Sequence, residues 1–575
     1  MTTDVEQATQ LARALGERGV TGVSELGTAL SDLQLAGAAP AQLVDLLDVL
    51  RSLERDALSQ LEDHASLVPT LAPLLGHPEA SLRSAAAALL ERIVVVAASP
   101  RELFLAMCGA LAHVGDAEDD DEADEWLFVD ELVAWLGLIG SLLPRIRTKK
   151  PAGFVSDVAL ALDQALDGLD LSPRDGESEP PAARVLRSVV DVVQRVIASG
   201  WTTHGHALAP LLLIGVARLA ADDAIRCTLA VDAFRASRPG FAHARLQALV
   251  PIERLRDPAE LWAEVLTCAD VIELTSDHCR ELCTRLNEAD DGIASAATGA
   301  FILLAQHRSR AASTEESLDH LQDLLPRYLA ALSPHATTDF AVIDAALYLL
   351  QTDLTALRAA AQLAETIVLS TLSATCSDPS IRFVAFQLLT DLIVGRSAGD
   401  ETLQMAIMRD LLVDCPFEPM RRAAYGLLRL LIGNALARAQ SVRSQFLAEL
   451  TTRSLFASPR LLDDFGPHIT ALPADVLAQL AAGCSLESIQ HEHTTLCAER
   501  LDLCYFLLRR DQANKTGIRS LEHRSSIRDR LVEPLRRAVA TWSADTSTAS
   551  DDLGALDLLS CSLDRVDEAL QALEG

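Results

Sequence analysis

The sequence predicts an all-α fold built from repeated helical pairs. Three observations carry that reading. One helix pattern recurs in register, aromatic residues make up only 4% of a chain dominated by Leu and Ala, and no run of alternating β-branched residues marks a strand. The pattern is clearest between residues 377 and 432. After Asp378-Pro379, apolar residues fall at Ile381, Val384, Ala385, Leu388, Leu389, Leu392 and Ile393. After Pro416 and Pro419 they fall at Met420, Ala423, Ala424, Leu427, Leu428, Leu431 and Ile432, each 39 residues further on. These offsets place every apolar side chain on one helical stripe. An Arg follows the first apolar residue in both copies, at Arg382 and Arg421. Leu82, Ala85, Ala86, Leu89, Leu90, Ile93 and Val94 repeat the offsets after His77-Pro78, with Arg83 in the Arg position. Ile293, Ala296, Ala297, Ala300, Phe301, Leu304 and Ala305 repeat them after Asp290-Asp291 without the Arg, and Asp223-Ala224-Ile225-Arg226 is a poorer echo. A period near 40 residues, with a Pro or Asp turn before an Arg-bearing helix, is the signature of a HEAT/armadillo-like helical-repeat solenoid. No such pair buries its apolar face alone, so pairs stack.

Taken in order, residues 1–171 read as an N-terminal helical-repeat lobe. Helices are expected at 5–16, 22–35 and 40–61, punctuated by Gly19 and Gly37, and helical pairs follow at 67–98 and 100–114. Residues 116–125 hold eight acidic residues in ten and read as a solvated loop, because such a block repels itself. A strongly apolar helix follows at 126–143. Residues 172–182 combine Pro, Gly and charge, which continue no helix and bury no core. They read as a linker, or as a long surface loop within one solenoid. Residues 183–542 read as a HEAT-like solenoid with short connections at 308–314 and 395–400. Residues 543–575 read as a flexible link and a C-terminal capping helix at 553–573.

The formal net charge is −32, and only Lys149, Lys150 and Lys515 are lysines. Phosphate binding needs clustered cations that release counterions, so nucleic acid is not an expected partner. A protein with a basic face is the natural counterpart of an acidic surface. The longest apolar run noted, 207–216, is too short to span a bilayer, and Met1-Thr2-Thr3-Asp4-Val5-Glu6 lacks the basic region and apolar core of a signal peptide. A cytoplasmic or nuclear monomer without membrane attachment is expected. The eleven Cys are scattered and odd in number, which suits reduced, buried thiols rather than a disulfide framework.

Catalytic constellations are absent from the sequence: no Gly-rich phosphate loop, no Gly-x-Ser-x-Gly elbow, no His-Glu-x-x-His. His491, His493 and Cys497, and likewise His278, Cys279 and Cys283, lie within a few residues of one another but lack a fourth ligand at zinc spacing. Cys504, near Arg509 and Arg510, and Cys415, before Pro416, are the thiols to consider for redox chemistry, although burial is the plainer reading. The expectation is a non-enzymatic scaffold with no catalytic residues, no cofactor and no metal.

The last quarter carries more than periodicity. Leu503-Cys504-Tyr505-Phe506-Leu507-Leu508 leads to Asp511 and then Asn514-Lys515-Thr516-Gly517-Ile518. Leu531-Val532-Glu533-Pro534-Leu535 follows, and a closing helix contains Asp564-Arg565-Val566-Asp567-Glu568. On the residues alone, Leu503, Tyr505 and Leu508 pack one helix, Asn514 and Gly517 suit a turn, and Pro534 kinks or starts a helix. The whole is a terminal cap for the array. This order resembles the C-terminal end of the glomulin / YAP-binding protein family, and Asp414-Cys415-Pro416-Phe417 is similar to its fungal members. The resemblance covers residues 414–573. It implies an adaptor that binds the RING-box subunit of a cullin-RING (SCF) ubiquitin ligase through its C-terminal repeats and blocks docking of the conjugating enzyme. For fungal-type members it implies instead an adaptor for a bZIP transcription factor in the oxidative stress response. Outside the family, a general HEAT scaffold or assembly factor is the third reading. Tyr505, Arg509, Arg510, Asn514, Thr516, Gly517 and Arg519 are the expected partner-binding residues, by their place in and beside the motif.

Overall fold

A computed structural model of the chain describes residues 2–18, 39–53, 55, 58, 64–114, 125–167, 169, 171, 179–201, 205–220, 228–237, 258–284, 291–310, 340–352, 363–395, 401–441, 454–482, 491–544 and 550–574. Every regular element among them is helical, and the helices form two compact units. The expected helix at 22–35, the acidic stretch up to residue 124, residues 172–178 of the Pro-rich stretch and the echo at Asp223 lie outside the described residues.

The repeated stripe is the core. In the helix Ala80–Val96 all seven predicted apolar positions are buried, and in Pro379–Gly395 all seven are buried again, with Ser380 beside them. In Glu418–Ser441 six of the seven are buried and Ala423 is half-buried. The Arg of the pattern has a specific task. Arg83 Nη1 donates to the carbonyls of His77 (2.8 Å) and Pro78 (2.9 Å), and Arg382 Nη1 donates to those of Cys376 (2.6 Å) and Ser377 (2.9 Å). Both guanidinium groups reach back over their own first turn to carbonyls of the inter-helix turn, which no helix bond satisfies. At the same turn Asp378 Oδ1 accepts from the N–H groups of Ser380 (2.7 Å) and Ile381 (3.1 Å), closing the other side.

The first unit comprises Met1–Ala331 and Ala336–Leu350. Its described helices are α1 (Thr2–Arg18), α2 (Pro40–Ser52), α3 (Leu67–Leu75), α4 (Ala80–Val96), α5 (Pro100–Ala112), α6 (Glu125–Leu142), α7 (Pro151–Asp167), α8 (Pro181–Ala198), α9 (Ala209–Leu219), α10 (Leu229–Ser237), α11 (Pro258–Val271), α12 (Ser276–Thr284), α13 (Asp291–Arg310) and α14 (Phe340–Thr352), whose last two residues fall in the second unit. Alternate helices touch. α2 packs on α4, α4 on α6 and α6 on α8, while α3 packs on α5, α5 on α7 and α7 on α9. Lateral contacts α3–α4, α5–α6 and α8–α9 join the two rows. That is the two-layer stacking of a HEAT/armadillo-like solenoid, in which each pair meets only its neighbours. α7 and α8, on either side of the Pro-rich stretch, stand in the same unit.

α6 shows why apolarity alone misleads. Whereas the helix that holds the run at 207–216 is shorter, Leu127–Arg145 is long and apolar enough to cross a membrane by length and composition. Its apolar residues are core: Leu132, Trp135, Leu136, Ile139 and Leu142 are fully buried against α4, α5 and α8. One carboxylate sits in this wall. Glu131 Oε1 accepts from Trp135 Nε1 (3.2 Å), and a Cβ on Gly76, just after α3, would come within 2.6 Å of its Oε2. Burial pushes the Glu131 carboxyl up to about 7.

The second unit comprises Leu332–His335 and Gln351–Gly575. Its helices are α15 (Leu363–Thr375), α16 (Pro379–Gly395), α17 (Glu401–Arg409), α18 (Glu418–Ser441), α19 (Arg460–Thr470), α20 (Ala474–Ala481), α21 (His491–Arg510), α22 (Leu521–Ile527), α23 (Glu533–Ala544) and α24 (Ser550–Gln571). α15, α18, α21 and α24 form one row, each touching the next. Tyr425 of α18 donates its hydroxyl to the His468 carbonyl of α19 (2.9 Å). Arg500 of α21 lies 5.7 Å from the Tyr425 ring centre and donates to the Ala471 carbonyl (2.5 Å), fastening three helices together. Single π turns occupy Asp410–Asp414 and Arg528–Val532. The second runs straight into α23, so Pro534 stands inside a continuous helical run, and the Arg530 carbonyl four residues before it accepts instead from the N–H of Leu472 (3.1 Å). The closing helix begins at Ser550, three residues before the expected 553.

Two measurements check this account. Arg382→Ala removes a donor to the turn carbonyls of Cys376 and Ser377 and should lower stability by about 1–2 kcal/mol, read as a lower urea midpoint at unchanged slope. For Glu131, the folded chain keeps a proton that the unfolded chain releases above its ordinary value of 4.5, up to about 7. Stability should therefore fall as pH rises through that window, by up to roughly 3 kcal/mol in total. Glu131→Gln should leave the melting temperature near pH 5 unchanged, raise it at pH 8, and flatten the profile between.

Candidate functional site

The family-like segment begins in the last two turns of α21. Leu503, Cys504, Leu507 and Leu508 are buried, as their spacing predicts. Tyr505 is half-buried: the Arg565 guanidinium of α24 lies 4.3 Å from its ring centre, and Arg565 also reaches Asp502 (3.4 Å). Tyr505 therefore helps hold the closing helix against α21 through a cation–π contact.

Past Arg510 the chain closes on a buried carboxylate. Asp511, 1% exposed, accepts from the N–H of Lys515 (2.9 Å), the N–H of Thr516 (2.7 Å) and the hydroxyl of Thr516 (2.7 Å). Asn514 and Gly517 both take left-handed backbone, at φ 51° and 83°. Asn tolerates this because its side chain bonds locally: its Oδ1 accepts from the N–H of Arg519 (2.8 Å). Arg519 turns its guanidinium back onto α21, with Nε and Nη2 donating to the Leu508 carbonyl (3.1 and 2.5 Å) and Nη1 to that of Gln512 (3.3 Å). Ser520 then caps α22, its hydroxyl accepting from the N–H of His523 (3.3 Å).

The seven sequence candidates thus divide. Thr516, at 0% exposed, and Gly517 and Arg519 hold the turn together, and Asn514 does so while remaining exposed. Arg509 and Arg510 are exposed and form no ion pair among the described residues. Sequence reading missed two residues. Asp511 is the hub of the turn, and its signal is a carboxylate four and five residues before the N–H groups it binds. Leu521, at 74% exposed, is the most exposed large apolar side chain among the described residues. It stands six positions before buried Ile527, about 120° round the helix from the core stripe. Residues 500–540 hold ten basic and five acidic residues on a chain of net charge −32. Arg509 and Arg510 are exposed at the end of α21 and Leu521 is exposed at the start of α22, on either side of the turn in sequence.

The thiols do not favour chemistry. Burial pushes Cys108, Cys268, Cys279 and Cys504 up to about 12, and Cys504 donates to the Ile469 carbonyl (3.0 Å). Cys415 is half-buried and Cys561 exposed. Cys279 and Cys283 are buried, while His278 is engaged with the Thr275 hydroxyl (3.2 Å). Among the described residues no group of three His, Cys, Asp or Glu side chains could hold a metal ion; the side chains of His491 and His493 lie outside the description.

Asp511→Ala should remove the acceptor of two buried Thr516 donors and of the part-buried Lys515 N–H, and cost on the order of 2–4 kcal/mol. Hydrogen exchange should show that loss first in residues 511–527 and α24. Leu521→Ser should leave the melting temperature unchanged, since Leu521 buries little in the free chain.

Residues 279–561 match the model of an uncharacterised protein family described as YAP/Alf4/glomulin. No curated protein matches the chain. Among solved structures, SYS-1 aligns over 97% of this chain and 99% of its own at 9% identity and a TM-score of 0.30. A chain from the structure of a phosphorylation switch in the cadherin–β-catenin interaction aligns over 94% and 99% at 12% identity and 0.25. One from the Pds5–Scc1 complex aligns over 92% and 94% at 11% identity and 0.14. Likenesses at that level leave the fold to be argued from its own helices. The family match spans α21, the Asp511 turn, α22, α23 and the first half of α24, so residues 279–561 of this chain are similar to the YAP/Alf4/glomulin family.

Proposed function

We propose that this chain is a non-enzymatic protein–protein adaptor. Its C-terminal turn and flanking helices grip the RING-box subunit of a cullin-RING (SCF) ubiquitin ligase and cover the face on which the ubiquitin-charged conjugating enzyme docks. The observation that carries the reading is the closed turn 511–520, which lies within the family match and presents Leu521, Arg509 and Arg510 to solvent. A turn already bonded through Asp511, Asn514 and Arg519 loses little freedom on binding. Exposed arginines such as Arg509 and Arg510 are a residue type enriched at interface hot spots, where a few anchors supply most of the binding energy. Masking needs no reacting group. It needs only a surface stiff enough to exclude a competitor.

Calorimetry of the full chain against a purified RING-box–cullin complex tests this. Wild type should bind, and Leu521→Glu or a paired Arg509→Glu/Arg510→Glu change should weaken binding at least about tenfold with an unchanged melting temperature. Ubiquitin discharge from the charged conjugating enzyme should slow with wild type and recover with either variant. Absence of binding by wild type overturns the ligase reading. Peroxide-dependent capture of a bZIP factor would then put the stress adaptor in its place.

A further inference from the structure

The sequence places two of its few lysines where the first unit has a cleft. Lys149 and Lys150 are two of the chain's three lysines, and with Arg147 they occupy the segment between α6 and α7. Arg101, in the first turn of α5, faces the same space: its guanidinium lies 5.6 Å from the ring centre of Phe154, on α7. Phe154 in turn meets Phe104 edge-on, with centroids 5.3 Å apart. These residues line one cleft with Thr148, Gly153 and Asp157.

Three features set this cleft apart. First, its cations are unspent. Arg101, Arg147, Lys149 and Lys150 are exposed and form no ion pair among the described residues, whereas neighbouring arginines are committed. Arg83 and Arg184 pair with Asp130, Arg187 with Glu179 and Glu264, and Arg218 with Asp163 and Asp167. Second, the cations stand at the wrong helix end for stability. The N-termini of α5 and α7 carry partial positive charge, and cations beside them are unfavourable unless an anion joins them. A chain of net charge −32 has no need of them for solubility. Third, the cleft has an apolar side. Half-buried Phe154 forms a wall, nothing lies within 4 Å of where a Gly153 Cβ would be, and Leu105 (63% exposed) and Leu160 (50%) continue along the outer faces of α5 and α7. At physiological ionic strength the remote carboxylates are screened beyond about 8 Å, so the local cluster sets the potential.

We infer that this cleft binds an acidic peptide segment of a partner protein, with carboxylate or phosphoryl groups held by Arg101, Arg147, Lys149 and Lys150 and an adjacent apolar side chain against Phe154. Asp157 is the one carboxylate lining the cleft and opposes the ligand. The site is built from residues of the first unit only and does not depend on the ligase reading.

Fluorescence anisotropy of the full-length chain tests it with three labelled peptides: Glu-Glu-Phe-Glu-Glu, the same peptide with phosphoserine at two Glu positions, and the neutral Gln-Gln-Phe-Gln-Gln. One acidic peptide should bind at least about tenfold tighter than the Gln peptide and weaken between about 50 and 200 mM salt. The tighter of the two acidic peptides identifies the anion. Lys149→Glu/Lys150→Glu, both exposed and without described bonding partners for their charged groups, should reduce binding about tenfold or more, while Asp157→Asn should strengthen it about two- to threefold. Leu521→Glu should change nothing. Equal binding of the Gln peptide, or affinity that survives the double Lys reversal, overturns the proposal. So does displacement by inorganic phosphate together with no loss when Phe is replaced by Gly in the peptide, which would leave a simple anion site.

Discussion

A protein assembled from short helices has one recurring constraint, the helix end. Each end leaves backbone groups without helical partners, and stacking buries many of those ends away from water. Here the carbonyl ends are closed by arginine. Arg83 and Arg382 reach back to the turns before their helices, Arg519 reaches back to the end of α21, and Arg500 takes the Ala471 carbonyl after α19. Arg92 donates to the Leu53 carbonyl (2.6 Å) and Arg145 to that of Ala97 (3.3 Å). A planar fork of donors can serve two carbonyls at once, which a lysine ammonium does with less fixed geometry. In a chain with only three lysines, the fork is what the turns use.

The complementary device closes the N–H ends with carboxylates. Asp378 does so locally. Asp344, 3% exposed on α14, does so at a distance, accepting from the N–H groups of Leu229 (2.8 Å) and Ala230 (3.1 Å) at the start of α10. Asp511 applies the same chemistry to the turn after α21, and Glu401 to Leu455, whose N–H it accepts at 2.5 Å. Negative groups at N–H ends and positive groups at carbonyl ends follow the helix dipole, so the pairings reinforce the electrostatics of the helices. The Asp511 turn is thus a scaffold device first. Its rigidity comes from satisfied backbone groups, and the residues free to meet a partner are those the network leaves over.

That distinction explains what the sequence made legible. The stripe positions in α4 and α16 could be read directly, because burial follows the 3.6-residue period and the periodic residues are apolar. The Arg that accompanies them was visible as a recurrence but not as a bond, since its acceptors are carbonyls, which have no letter in a sequence. The same blindness affects the candidate site. Thr516 and Arg519 stand beside the motif and read as partner-facing, yet a carboxylate turned inward and a helix end draw them inside. Leu521 escaped notice because one Leu among many carries no signal until its angle to Ile527 is worked out. The division between the two units, near Leu350 and Gln351, was equally hidden: it falls within α14, a continuous apolar helix with no change of composition.

Net charge is a poor guide to where an acidic chain meets other molecules. A total of −32 describes the surface as seen from afar, while contact is decided within a Debye length. Within that distance what counts is whether a cation is already committed. Most of the structured arginines in the first unit face a carboxylate or a carbonyl and contribute little outward field. The group around Lys149 and Lys150 has no such partner among the described residues, and in the second unit Arg509 and Arg510 have none either. Unpaired cations on a chain so rich in carboxylates do not arise for want of acids to pair them, because Asp and Glu outnumber Lys and Arg by 81 to 49. Their separation from those acids is built by the fold. Each group stands at a helix boundary, one ahead of α7 and the other at the end of α21, where the backbone turns and a side chain can leave the packed rows.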